Sequence, residues 1–180
     1  MTVTKFISLS IFLFFTWTTT FGQGKEDKNY RLFNIRKVYQ QINQYKNYTT
    51  VTIDDTEEFL GHGTDNGGSL TGYFKKDTLK KIIEWVGLSN KVIQNEYYLD
   101  NGKLIFVYST ESKYRFNEST QNFDYSKLDK AFTGLYYFSN EILIDTILSD
   151  KQHGDTKQET AAELLTSSKD YIKLLSERQK

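Results

Sequence analysis

The residues of this chain that could do chemistry are few and widely separated. The chain has only two histidines, His62 and His153, each followed by glycine in a polar segment, and it has no cysteine. A zinc site needs three or four converging ligands, and the sequence has neither an HExxH motif nor any paired histidine spacing. We therefore predict no metal site, no cofactor and no thiol chemistry, and we interpret both histidines as solvated loop residues.

The glycine-rich segment 61–68, GHGTDNGG, invites comparison with ligand-binding loops. It lacks the Lys-Ser/Thr pair of a P-loop and the glycine spacing of a dinucleotide-binding fold. Asp65-Asn66-Gly67 matches part of a calcium loop, but the closing glutamate is absent. Four glycines in eight residues predict a loop without a phosphate or calcium site.

An enzymatic site would have to assemble from residues far apart in the sequence. The chain has no nucleophile elbow, and the adjacent acids Asp54-Asp55 and Glu57-Glu58 would point to opposite faces of a strand. A hydrolase-like enzyme is therefore an alternative hypothesis, whose site would gather scattered groups such as His62, Glu96, Arg115 and Asp145. It predicts that at least two of these four lie within hydrogen-bonding distance of each other.

Tyrosine offers the chain a different chemistry, that of a binding surface. The chain has 13 tyrosines, and tyrosine suits half-buried sheet faces, where the ring packs and the hydroxyl stays in water. Three segments, LTGYFKKDTLKKI, NEYYLDNGKLIFV and GLYYFSNEILIDT, share a tyrosine, an apolar residue, a polar turn and a leucine in that order. Their alignment places Tyr73, Tyr98 and Tyr137 on one face of a sheet.

We therefore predict a ligand-binding face that includes Tyr73, Glu96, Tyr98 and Tyr137, with segment 61–68 at its margin. Its partner would be an unidentified protein or small molecule. The alternative is that these tyrosines pack against a terminal helix, because helices need a sheet to dock on. A self-associating structural protein is a third hypothesis.

The strands that must carry the tyrosines are clearest around Asn101-Gly102. This dipeptide lies between two strand-like runs in segment 91–110 and predicts a hairpin with a two-residue type I′ turn. The turn pairs Tyr98 with Ile105 and Tyr97 with Phe106. The predicted core face then carries Ile93, Tyr97, Leu99, Leu104, Phe106 and Tyr108. The other face is mixed and carries Val92, Glu96, Tyr98, Ile105 and Val107.

One acidic residue of the third repeat is predicted at an unusual position. The same register places Asp145 on the core-facing side of its hairpin, where a buried carboxylate would indicate function. A bulge or an exposed sheet edge is the favoured explanation.

Helices are expected before the first strand and after the last strand in the sequence. Apolar residues recur at three- and four-residue spacing over 30–45 and predict an amphipathic helix. Thr156 and Glu159 match a capping box, which predicts a second helix over 156–178. Between the helices, the most ambiguous segment is 78–88, which fits strand and helix equally well until the repeat favours a strand. Segment 112–130 is predicted to be a long loop or a frayed strand pair.

The first 22 residues predict a secretory signal peptide. Lys5 supplies the positive start, residues 7–15 form an apolar run too short to span a membrane, and Thr20-Phe21-Gly22 suits cleavage. An uncleaved anchor is the alternative. Residues 23–180 would then form one soluble domain, secreted or periplasmic, without a membrane span. The chain balances 23 basic against 23 acidic residues, which argues against nucleic acid as a partner.

Together these elements predict a single α+β domain. It would consist of an antiparallel β-meander of about six to eight strands, with one helix before it and one after it.

The hairpin motifs GYF, EYYLDNGKLIFVY and LYYFSNEILI carry two resemblances. Over nearly all of the mature chain, the sequence resembles a group of small exported proteins of unknown function from Gram-negative bacteria, whose domains carry a similar YYF-x-NGKLI-F repeat between terminal helices. This resemblance implies a periplasmic or extracellular location and no assigned activity. A weaker resemblance is to the YY-x-NGKL hairpins of MORN-type repeats, which are shorter and more regular. Neither resemblance implies any catalytic residue.

Overall fold

The computed structural model describes residues 23–149 and 159–179, so the predicted signal peptide and Thr156 lie outside the described residues. The helices of this part of the chain are α1 (Gln23–Gln44), α2 (Thr56–Leu60) and α3 (Ala161–Arg178). Its strands are β1 (Thr49–Ile53), β2 (Gly68–Lys75), β3 (Thr78–Gly87), β4 (Lys91–Asp100), β5 (Lys103–Asn117), β6 (Asn122–Ser139) and β7 (Ile142–Leu148).

The seven strands form one antiparallel sheet in which each strand pairs with the next in sequence. The predicted meander between an N-terminal and a C-terminal helix is therefore confirmed. Segment 78–87 is a strand, as the repeat indicated, and segment 112–130 forms the long paired ends of β5 and β6. The short helix α2 was not predicted.

The two long helices cover opposite faces of the sheet. Leu164, Tyr171 and Leu175 of α3 pack in one cluster with residues such as Leu70 and Leu99. On the other face, α1 packs in a second cluster of residues: Leu32, Ile35, Ile42, Tyr98, Phe106 and Tyr137. Each helix thus buries the apolar stripe that its sequence spacing predicts.

The predicted type I′ turn is present at Asn101-Gly102. The two residues have φ values of 49° and 74°, and positive φ at both central positions defines this turn. Asn140 and Glu141 adopt the same conformation in the third hairpin, with φ values of 51° and 64°. The right-handed twist of the strands favours this turn even where no glycine is present.

Each of the three repeated hairpins contains one extra residue, the third after the turn. These residues, Lys80, Ile105 and Ile144, are skipped in the strand pairing. In consequence, the repeat tyrosines pair with Lys81, Phe106 and Asp145. An extra residue moves every later side chain to the opposite face.

The predicted pairing of the central hairpin is therefore wrong beyond Leu104. Tyr98 pairs with Phe106, and Tyr97 pairs with Val107. Phe106 and Tyr108 lie with Tyr98 on the α1 side, whereas Val107 lies in the cluster beneath α3. The predicted core positions of Phe106 and Tyr108 and the outward position of Val107 are corrected by the bulge.

The bulge also explains Asp145. It lies opposite Tyr137 on the α1 side, where its carboxylate forms an ion pair with Lys28 of α1 at 2.9 Å. Of the two favoured explanations of this acid, a bulge or an exposed sheet edge, the structure shows the bulge, and Asp145 is half-buried.

The C-terminal helix starts later than the predicted residue 156. The helix begins at Ala161, and its capping box consists of Thr160 and Glu163. The backbone N–H of Thr160 donates to the Glu163 carboxylate at 2.7 Å, and the Glu163 N–H donates to the Thr160 hydroxyl at 3.2 Å. Glu159 precedes the helix, and its carboxylate accepts a hydrogen bond from Asn95 instead.

The backbone conformation of the central turn can be tested by substitution. We expect Gly102→Ala to lower the free energy of unfolding by roughly 1–2 kcal/mol, because an L-residue is strained at positive φ. No described atom lies within 4 Å of the added Cβ, so the loss would report backbone strain alone. Urea denaturation measures it. Gly63→Ala is the matched control, since Gly63 does not have a positive φ, and an equal loss there would contradict the assignment.

Candidate functional site

α1 lies across the sheet face that carries the three repeat tyrosines. Tyr98 is 1% exposed and Tyr137 is 6% exposed, and both are buried beneath α1. The Tyr39 ring of α1 lies 4.8 Å from the ring of Tyr98. Tyr73 is half-buried near the sheet edge, where its ring meets that of Tyr48 at 6.0 Å. Tyr98 and Tyr137 thus pack against a helix, whereas Tyr73 packs against the segment that follows α1.

Glu96 is the centre of a polar network beside these rings. Its carboxylate accepts hydrogen bonds from the Tyr98 hydroxyl at 2.6 Å and the Gln94 amide at 3.1 Å, and it pairs with Lys81 at 2.6 Å. The Lys81 ammonium also lies 4.9 Å from the centre of the Tyr98 ring and 6.0 Å from that of Tyr73. The structure therefore connects Tyr73, Glu96 and Tyr98 through Lys81.

The Tyr98 hydroxyl serves this network as a donor. Burial, followed by the hydrogen bond to Glu96, raises the pKa of Tyr98. The hydroxyl therefore keeps its proton and orients the Glu96 carboxylate.

Beyond the tyrosine row, the α1 face of the sheet becomes accessible. The strand pairing defines the next row as Thr52, Thr71, Ile83, Glu96, Tyr108, Leu135 and Ile147. The row after it consists of Ser69, Trp85, Gln94, Thr110 and Thr133. All these residues are half-buried or exposed, whereas Tyr98, Phe106 and Tyr137 are buried. We call these two rows the open half-face.

The glycine-rich loop borders the far end of the open half-face. The N–H of Asn66 donates to the Gly87 carbonyl at 3.1 Å, and the N–H of Gly87 donates to the Gly67 carbonyl at 2.8 Å. A Cβ at Gly87 would lie 2.7 Å from the Asn66 carbonyl oxygen and 3.0 Å from the Trp85 ring. Only glycine permits this approach, which holds the loop against Trp85.

A cavity of about 450 Å³ lies between α1 and the open half-face. Its volume is in the range of small-molecule sites. It is lined by Ile35, Arg36, Tyr39, Gln40, Phe106, Tyr108, Leu135 and Tyr137. Of the four predicted site residues, Tyr137 lines this cavity and Glu96 lies on the adjoining open half-face.

The four residues of the enzymatic alternative have separate partners. His62 Nδ1 lies 3.0 Å from the Gly63 carbonyl, Arg115 forms a bidentate pair with Asp129 at 2.7 and 3.0 Å, and Asp145 pairs with Lys28. Glu96 belongs to the Lys81 network. In the described part of the chain, no hydrogen bond or ion pair joins any two of the four.

A buried carboxylate that was not predicted from the sequence lies on the opposite face of the sheet. Glu84 is 4% exposed and accepts hydrogen bonds from the Tyr97 hydroxyl at 2.9 Å, the Tyr171 hydroxyl at 2.7 Å and the Asn95 amide at 2.9 Å. The available signal was its position between Ile82 and Val86, which alternation places in the core.

Asn95 links Glu84 to a second carboxylate. Its amide nitrogen also lies 2.7 Å from Glu159. Burial, and then the charge of Glu84, raise the pKa of Glu159 to about 7, while the hydrogen bond from Asn95 opposes the rise. Since Glu84 and Asn95 are 4% and 1% exposed, this cluster fastens α3 to the sheet rather than facing a substrate.

Comparison with protein-family models, curated proteins and solved structures gave no match. Within residues 23–149 and 159–179, no helix is long and apolar enough to cross a membrane. The same residues contain no group of three or more His, Asp or Glu side chains placed to hold a metal ion. The candidate site is therefore supported by the geometry of the α1 face and not by any similar protein.

The Glu159 carboxyl makes stability depend on pH. Its pKa is about 7 in the folded protein against an ordinary 4.5, so the stability it contributes is complete below pH 4.5 and is lost as the pH rises through 7. Allowing for partial exposure, we expect the wild type to lose roughly 2 kcal/mol relative to Glu159→Gln over that window.

Urea denaturation across a pH series measures this difference. Glu177→Gln removes an exposed carboxylate from the same part of the chain and should keep the pH dependence of the wild type. An unchanged pH dependence in Glu159→Gln would contradict the role of the cluster.

Proposed function

We propose that this chain is an exported binding module that holds its ligand on the α1 face, over the open half-face and the cavity beside α1. One observation carries the proposal: α1 buries a single row of rings and leaves the next two rows of the same sheet face accessible. Export rests on the signal peptide predicted for residues 1–22.

The side chains of the open half-face suit recognition. A sheet face that only meets water carries mainly polar residues, but this one presents Trp85, Tyr108 and Leu135. Gln94 and Thr110 stand beside them and supply donors and acceptors. Aromatic and apolar contacts with a few interspersed polar groups are typical of ligand and partner sites.

The four predicted site residues take different parts in this proposal. Tyr137 contacts the ligand directly in the cavity, and Glu96 does so on the open half-face. Tyr98 and Tyr73 are positioning residues, because they act through the Lys81–Glu96 pair.

Recovery of the exported chain from its own source tests the proposal. We expect mass spectrometry of the denatured material to find one protein or small molecule in stoichiometric amount with the wild type. The double variant Thr110→Arg/Thr133→Glu should lose it, because two long side chains would cover the open half-face. These residues pair directly across β5 and β6, so the new charges are matched and the sheet is preserved.

The control introduces the same two groups on the exposed side of α3, as Ala162→Glu/Thr166→Arg. It should recover the ligand as the wild type does, and circular dichroism melting checks that both variants fold. A wild type without any stoichiometric companion, or equal recovery from both double variants, would overturn the proposal.

A further inference from the structure

We infer that the cavity beside α1 binds an anionic amphiphile, a molecule with an apolar chain or ring system and one acidic headgroup. The inference rests on the proposed binding function and names the ligand class of that site. It follows from the walls of the cavity and from the charges beside them.

The walls suit an apolar body. The Phe106 ring lies 5.3 Å from the ring of Tyr39 and 4.9 Å from that of Tyr137, and these contacts fix the walls against one another. Ile35 and Leu135 complete the apolar lining. A hydrocarbon group placed there would leave water for a preformed apolar surface.

Two cations lie beside aromatic residues that line the cavity, Arg36 near the Tyr137 ring and Lys130 at the Tyr108 hydroxyl. The guanidinium of Arg36 lies 5.8 Å from the centre of the Tyr137 ring. The Lys130 ammonium donates to the Tyr108 hydroxyl at 2.9 Å and lies 5.5 Å from the centre of that ring. Both cationic side chains are exposed, so a headgroup can reach them.

Among the described residues, these charges have no acidic counterpart at the cavity. Within the described part of the chain, neither Arg36 nor Lys130 forms an ion pair with a carboxylate. Glu96 faces Tyr108 across β4 and β5, but its charge is matched by Lys81. A carboxylate, sulfate or phosphate headgroup would supply the missing negative charge, whereas a cationic headgroup would be repelled.

Isothermal titration calorimetry of the purified chain with three probes of equal chain length tests the inference. We expect decanoate to bind one to one, 1-decanol to bind about tenfold more weakly, and decyltrimethylammonium to show no binding, because a charge-assisted contact is worth at least a factor of ten. Decyl sulfate should bind as decanoate does, because either anion supplies the negative charge that Arg36 and Lys130 lack, and no binding of decyl sulfate would contradict recognition of the charge.

Variants connect the preference to the two cations. Arg36→Gln and Lys130→Gln should each weaken decanoate binding about threefold, and together they should remove its roughly tenfold advantage over 1-decanol. Lys37→Gln, the exposed neighbour of Arg36 on α1, should bind as the wild type does. Equal affinity for decanoate and 1-decanol in the wild type, no decanoate binding, or an unaffected double variant would overturn the inference.

The two proposals fail separately. If a companion is recovered from the native source but decanoate does not bind, the ligand class is wrong and the binding function stands. If neither result appears, both are overturned.

Discussion

The extra residue in each repeated hairpin decides which side chains meet which helix. Without Ile105 as a bulge, alternation would place Phe106 beneath α3 and Val107 beneath α1. With it, Tyr98 and Phe106 face each other across β4 and β5 on the α1 side. Because the bulge recurs in all three hairpins, the repeat tyrosines form one row that α1 can cover. The open half-face is what remains of that side of the sheet.

The two helices are attached to the sheet by different interactions. α3 is fastened by apolar packing and by the Glu84 carboxylate, whose three donors satisfy it in a buried site. Removing any of these donors would leave the buried Glu84 carboxyl short of a hydrogen-bond partner, which would destabilise the contact between α3 and the sheet. α1 is held by ring contacts and by the surface pair of Lys28 and Asp145, which contributes little. On the α1 side, the helix covers the row of rings and leaves the open half-face accessible.

The sequence predicted the helices and strands better than it predicted which face of the sheet each side chain occupies. Asn101-Gly102 and the repeated tyrosine motif were sufficient to predict the hairpins, because the conformation of a tight turn depends mainly on its own residues. The bulge could not be predicted from the sequence, because Ile105 and Phe106 are both apolar and either register buries a hydrophobic residue. The start of α3 was missed because Thr156 and Thr160 both precede a glutamate at the capping-box spacing, and only the tertiary contact of Glu159 with Asn95 distinguishes them. The cavity could not be predicted, because its walls come from α1 and two strands.

The central claim is that the ligand lies between α1 and the open half-face. Methyl NMR spectra of the chain during a titration with decanoate test it most directly, since methyl groups mark both faces of the sheet. The account predicts that the largest shifts occur at Ile35, Ile83 and Leu135, with Leu99 and Leu164 on the α3 side unchanged. Shifts centred on Leu164, or no localised shifts, would contradict it.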